Sequence, residues 1–164
     1  MKPMVWTTLQ PFVEWLGSSE FAQWLGQSTN RIAGLFVMHL IGLTLLLGGT
    51  LVIGLRLLDV GLRSQPVAGL ARDIAPWRMA GLILSLVSGA LIFTGGAVSY
   101  FEGPWFRWKM TLLTIALVFN FTAFRIVAYA DEGRFNPWLR RAMGGLTLLL
   151  WFSVGVAGRA IGFF

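Results

Sequence analysis

No cysteine occurs among the 164 residues, which excludes disulfides, thiolate-bound metals, iron–sulfur clusters and covalently attached c-type haem. Acidic groups are nearly as scarce: the seven Asp and Glu residues fall only in the N-terminal segment and in the connections between apolar runs. A relay of membrane carboxylates, as used in ion pumping, is therefore missing. There is no Gly-rich phosphate loop with Lys-Ser/Thr, no Gly-x-Ser-x-Gly elbow and no His-Glu metalloprotease pair, so nothing in the chain points to hydrolysis or phosphate handling. Charge of either sign is low at 12%, against about a quarter in ordinary soluble domains, while 56% of residues are hydrophobic. The net charge of +6 comes from Lys and Arg scattered at the ends of apolar segments. Without a run or stripe they read as topology signals and lipid headgroup contacts, not as a nucleic-acid surface.

What is present is a set of long apolar runs, and the clearest extends from Ile32 to Leu55. It is interrupted only by His39, Thr44 and Thr50 and closed by Arg56, long enough at about 1.5 Å per residue to cross a bilayer. Three further spans are expected at about 76–98, 106–130 and 142–164. Arg56 to Ala75 is a polar connection punctuated by Pro66 and Pro76. Tyr100 to Trp105 is a tight loop, and Asp131 to Trp138 leads to Arg140 and Arg141 at the foot of the last span. The short loops make neighbouring spans antiparallel. The fold class is an all-α membrane protein, an up-down-up-down bundle of four transmembrane helices over residues 31–164.

Residues 1–30 form a separate amphipathic segment. Leu9, Phe12, Val13, Leu16, Phe21, Trp24 and Leu25 recur at helical spacing with Glu14, Glu20, Gln23 and Gln27 opposite, the pattern of interfacial helices. Pro11 suits a first helical turn, and Gly17-Ser18-Ser19-Glu20 reads as a stop, a cap and an acidic first turn for a second short helix. Trp15-Leu16-Gly17 and Trp24-Leu25-Gly26 nearly repeat, placing a Trp at headgroup depth in each piece. The segment anchors to the membrane surface or docks a partner subunit. It lacks the apolar block and small-residue cleavage site of a signal peptide, so the first span is expected to do the targeting. Ser28-Thr29-Asn30 offers caps for that span. Arginines concentrate around the first and third connections, which by the positive-inside rule places both termini away from the cytoplasm.

Polar groups inside a membrane are costly unless paired and draw functional attention for that reason. His39, Lys109, Asn120 and Arg159 qualify. His39, Lys109 and Arg159 are expected in the same half of the bilayer, and Lys109, Leu113, Ala116 and Asn120 recur on one helical face. The plain reading makes His39 a hydrogen-bonded structural group, Lys109 and Arg159 snorkelling cations and Asn120 interhelical glue. The sharper reading is a basic pocket holding haem b, with His39 on the iron and the cations near the propionates, or copper, a quinone or a small anion. Met38 precedes His39 directly and must point away from it, so the two are poor co-ligands. The glycine and serine positions Gly81, Ser85 and Gly89 in the second span and Gly155, Gly158 and Gly162 in the fourth permit close helix approach. Tyr100, Trp105, Trp108 and Trp138 fit an interfacial aromatic belt.

Met38-His39-Leu40-Ile41-Gly42 with Gly48 and Arg56 downstream, Pro76-Trp77, Phe106-Arg107-Trp108-Lys109, Asn120 and Ala157-Gly158-Arg159 occur in an order that resembles a family of small bacterial four-span membrane proteins. That family has no assigned function and is distantly similar to the membrane domain of copper-resistance protein D. The likeness covers roughly residues 24–164 as scattered short motifs. It implies a multi-pass protein of the bacterial inner membrane, where the arginine distribution puts both termini in the periplasm, and draws attention to His39, Pro76, Trp77, Lys109, Gly158 and Arg159. Some relatives carry a further histidine near the end of the third span, where this chain has Phe124-Arg125, a departure that weakens a two-histidine haem or copper site. The expected function is a non-catalytic inner-membrane subunit or anchor that packs beside a larger redox or photosynthetic assembly, with the lipid bilayer, other membrane subunits or further copies of itself as partners. A small haem or copper electron carrier using His39, and a transporter of a small anion or lipid, are the competing expectations.

Overall fold

The computed structural model describes residues 4–61, 64–131 and 133–162. Two short helices, α1 (Met4–Ser18) and α2 (Glu20–Gly26), precede a first long helix α3 (Thr29–Leu57), and α4 (Val67–Thr94) returns beside it. A one-and-a-half-turn helix α5 (Ala97–Glu102) leads into the third span, which is α6 (Pro104–Phe119), a π-helical turn (Asn120–Phe124) and α7 (Arg125–Ala128) in series. The last helix is α8 (Pro137–Ala160). Four of these stretches are long and apolar enough to cross a membrane: Thr29–Leu57, Val67–Thr94, Pro104–Ala128 and Pro137–Ala160. Their outward faces carry Leu40, Ile83, Leu149 and Phe152, each more than half exposed, a surface that water would not tolerate and hydrocarbon accepts.

The helix limits differ from the sequence expectation mainly at the loop-side ends. α4 begins at Val67, well before Pro76, because the residues around Pro66 form a helix start and Val67 and Ala71 are apolar enough to join the core. Pro76 then sits inside the helix. Pro11 likewise lies in the interior of α1 and not in its first turn. Ser19 caps α2 by accepting from the Ala22 N–H at 3.2 Å, whereas Ser28, at the start of α3, makes no side-chain cap bond. Of the expected loop Tyr100 to Trp105, the first three residues belong to α5 and the last two to α6, with only Gly103 between the helices.

The tightest joint lies between α3 and α4. Gly42 and Gly81 bring the two backbones together so closely that a Cβ on Gly81 would lie 2.6 Å from the Leu46 nitrogen and 2.7 Å from the Gly42 oxygen. The facing pairs His39–Ser88, Gly42–Ser85, Leu46–Gly81 and Gly49–Arg78 run in opposite order along the two chains, which fixes them as antiparallel. α8 closes on the other side of α3, where Gly144 sits over Leu57 and Gly54 over Leu148. α6 packs on α8. Leu46, Leu82, Ala116 and Trp151 meet at mid-bundle, and Ile53, Leu57, Phe124 and Val127 fill the loop-side end.

At the end where the chain termini lie, α1 turns its Val13 face onto Ala97 and Phe101 of α5, with Trp6 against Phe101 at 5.2 Å. Its opposite face leaves Phe12 and Trp15 exposed, and α2 leaves Phe21 and Trp24 exposed, the arrangement an interfacial helix adopts. At the other end α3 stops in a Schellman motif, with Val60 N–H bonded to Leu55 O and Asp59 N–H to Arg56 O. Asp59 takes the left-handed conformation at φ 62° where glycine is usual. Its carboxylate holds the ends of two spans, accepting from Arg141 Nε of α8 at 2.9 Å and from Arg56 Nη1 at 3.4 Å.

Two outcomes follow for stability in detergent. Gly81→Leu, which must push backbone apart, is expected to cost at least about 1–3 kcal/mol, while Gly48→Ala, with nothing within 4 Å of its added carbon, stabilises by about 0.5–1 kcal/mol; equal thermal shifts would contradict the seam. The hydrogen bond from Arg141 holds the Asp59 carboxyl below its ordinary value. A depressed carboxylate contributes stability above its unfolded value and loses it as pH falls through the folded one, so the melting temperature should drop below about pH 4, and less so in Arg141→Ala. The pair is partly exposed, so the difference is at most about 1 kcal/mol.

Candidate functional site

Polar side chains inside the spans form two separate groups. In the half of the bundle on the side of the termini, the His39 imidazole lies in the α3–α4 seam against Gly89, where a Cβ would stand 3.1 Å from its Cε1. Nδ1 is 3.1 Å from Ser88 Oγ. The Ser88 hydroxyl donates its one proton to the Leu84 carbonyl at 2.5 Å, so the ring must donate from Nδ1–H and carry its lone pair on Nε2. Lys109 of α6 lies in the same half of the bundle. Its methylene stem lies over Gly158 of α8, with Cε 3.5 Å from where a Cβ would be. A Cβ at Gly158 would stand in ordinary van der Waals contact with Lys109, so the two residues pack together across α6 and α8 without the glycine being required.

Arg159 is not part of this cluster. One residue beyond Gly158 on a helix is about 100° around, and Arg159 is exposed with its guanidinium turned towards Gly162. Met38 is also on an outward face, 44% exposed. Asn120 stands elsewhere too, in the loop-side half of the bundle.

There it meets a residue that sequence reasoning had left among the flanking charges. Arg78 of α4 is buried, with Nε donating to Thr50 Oγ1 of α3 at 3.2 Å and Nη2 to Asn120 Oδ1 at 2.5 Å. Its guanidinium carbon lies 5.2 Å from the centre of the Phe124 ring. Gly49 provides the room: a Cβ there would be 2.5 Å from Arg78 Cγ. The sequence does hold the signal, because Arg78, Gly81, Ser85 and Ser88 fall at helical spacing on the face that joins α3. With the second span expected to open at Pro76, Arg78 counted among the charges flanking the first connection instead.

Arg78 and Asn120 line a cleft of about 220 Å³ between α4 and the third span, with Leu46 of α3 also in its wall. α4 and the third span touch at their ends, through the stacked rings of Phe93 and Phe106 at 4.9 Å and through α7. Between those points the two backbones stand apart, bridged by side chains such as Arg78 reaching to Asn120 and Phe124. The π-helical turn Asn120–Phe124 borders this gap, a position where such turns commonly mark function. Arg125 and Tyr129 lie further towards the loop side, and Tyr129 donates to the Ala71 carbonyl at 3.3 Å.

An all-helical bundle with four membrane-length helices defines a multi-pass membrane protein. The chain belongs to a family of unknown function (DUF6644), whose model matches residues 12–164. No curated protein and no solved structure gives a match.

If His39 and Ser88 hold α3 to α4, a double-mutant cycle of His39→Ala and Ser88→Ala should give a coupling of about 0.6 kcal/mol, and not above about 1.7 kcal/mol, the range found for such bonds between membrane helices. The cycle is read from unfolding in mixed detergent micelles; strictly additive losses would separate the two residues.

Proposed function

We propose that the protein is a non-catalytic integral subunit or anchor of the bacterial inner membrane, packing beside a larger membrane assembly with its termini on the periplasmic side. The observation that carries this reading is the use made of the polar residues in the spans. His39 binds Ser88, Lys109 packs on Gly158, and Arg78 ties α4 to Thr50 and Asn120; each joins helix to helix. Outward glycines support a neighbour in the membrane. Gly34 and Gly48 on α3 and Gly155 on α8 have nothing within 4 Å of an added Cβ, and bare backbone of this kind suits approach by another helix.

Copper or haem, to which a distant likeness to the copper-resistance protein D membrane domain would point, does not fit the residues present. The Nε2 lone pair of His39 is the only donor the ring has left, and Met38 faces outward. A soft cation needs several converging donors. Among the described residues no group of three or more His, Cys, Asp or Glu comes together.

Gentle extraction from the native membrane is expected to bring down stoichiometric partner proteins, in a colourless preparation whose visible spectrum is unchanged by dithionite and which holds no equimolar copper. Recovery of free monomers alone across several mild detergents would overturn the subunit reading. A Soret band lost in His39→Ala would establish the electron-carrier reading in its place.

A further inference from the structure

Helix joining accounts for only part of Arg78. A guanidinium has five N–H donors; one is spent on Thr50 and one on Asn120, which leaves three. Among the described residues no carboxylate lies within ion-pair distance of Arg78. A buried cation with no counter-charge is expensive, and removal from water makes it more so. Spare donors and unneutralised charge both border the cleft between α4 and the third span.

We propose that this cleft binds the anionic headgroup of a membrane lipid, with a phosphate oxygen on the Arg78 guanidinium and the acyl chains running out past Met79 and Phe121 into the bilayer. Guanidinium and phosphate match in charge and in forked geometry. The depth agrees: Arg78 is five residues beyond Asp73 on α4, about 7.5 Å along the axis, within reach of the headgroup layer and short of the bilayer centre. The size agrees as well. A space of about 220 Å³ is smaller than the roughly 300–1,000 Å³ that encloses a whole drug-sized ligand, so it takes a headgroup and leaves the chains outside. Met79 and Phe121 line the cleft and are 44% and 43% exposed on the outer surface, so the cleft reaches the surrounding lipid. A soluble anion would have no use for that apolar mouth. Arg125 stands on the loop side of the cleft, where it adds to the attraction for an acidic lipid.

The test uses the full chain reconstituted into phosphatidylcholine vesicles containing a minor share of phosphatidylglycerol, re-extracted in mild detergent and weighed by native mass spectrometry. Wild type is expected to retain phosphatidylglycerol in equimolar amount. Arg78→Gln should lose it by about tenfold or more, a change of about 1.4 kcal/mol. Because Arg78 also joins helices, Ala75→Phe serves as the second variant: it fills the cleft from α4 and leaves the bonds to Thr50 and Asn120 in place, and it should lose the lipid equally. Arg72→Gln removes a charge from the exposed loop-side part of α4 outside the cleft and should retain it. Full retention in Ala75→Phe, no retention in wild type, or equal loss in Arg72→Gln would overturn the proposal. Displacement of the lipid by millimolar inorganic phosphate alone would make this a free-anion site and overturn the lipid assignment.

Discussion

In hydrocarbon a polar group has no solvent to fall back on, so the interior of this protein is arranged around where its few polar atoms find partners. The joint between α3 and α4 makes that arrangement feasible. With Gly42 and Gly81 in backbone contact, side chains from one helix reach the other across a short gap. His39 meets Ser88 above this contact and Arg78 meets Thr50 below it. Larger residues at the two glycines would hold the helices apart and leave both polar pairs without partners. Outward hydroxyls follow the same constraint by another route: Thr44, Thr94, Thr111, Thr114 and Ser153 each donate to a carbonyl four residues back in their own helix.

The bundle also divides along its axis. His39 and Lys109 occupy one half; Arg78 and Asn120 occupy the other, about ten residues or 15 Å away along α4. A layer of Leu46, Leu82, Ala116 and Trp151 lies between. The halves differ in kind. The histidine group is closed into a tight seam, whereas the arginine group faces a gap where two spans part. Chemistry with an outside molecule has room only at the second.

Much of this was legible in the chain. Apolar length gave the four spans, since a helix satisfies its own backbone across a bilayer within one continuous apolar run, and Gly17-Ser18-Ser19 marked the break between the two N-terminal helices because serine capping is a local effect. Small residues four apart pointed to the seam at Gly81 and Ser85. What was not legible depends on distant partners. Arg78 looks like any arginine at a membrane boundary until Gly49, far away in sequence, is seen to leave space for it. Asn120 lies on one helical face with Lys109, yet depth in the bundle separates them and gives Asn120 to Arg78. The helical start at Val67 was hidden because proline at 66 and 76 reads as loop punctuation, although a long helix can absorb one proline when its neighbours hold it.

The π-helical turn at Asn120–Phe124 also bears on how the chain tolerates changes in length. Such a turn holds one residue more than the α-helical path needs. Elsewhere in a span, losing a residue rotates everything beyond it by about 100° and turns core side chains towards lipid. Within these five positions the loss is absorbed by the turn itself, and α6 and α7 keep their faces. A one-residue deletion here would therefore leave the bundle intact where the same deletion elsewhere in a span would not.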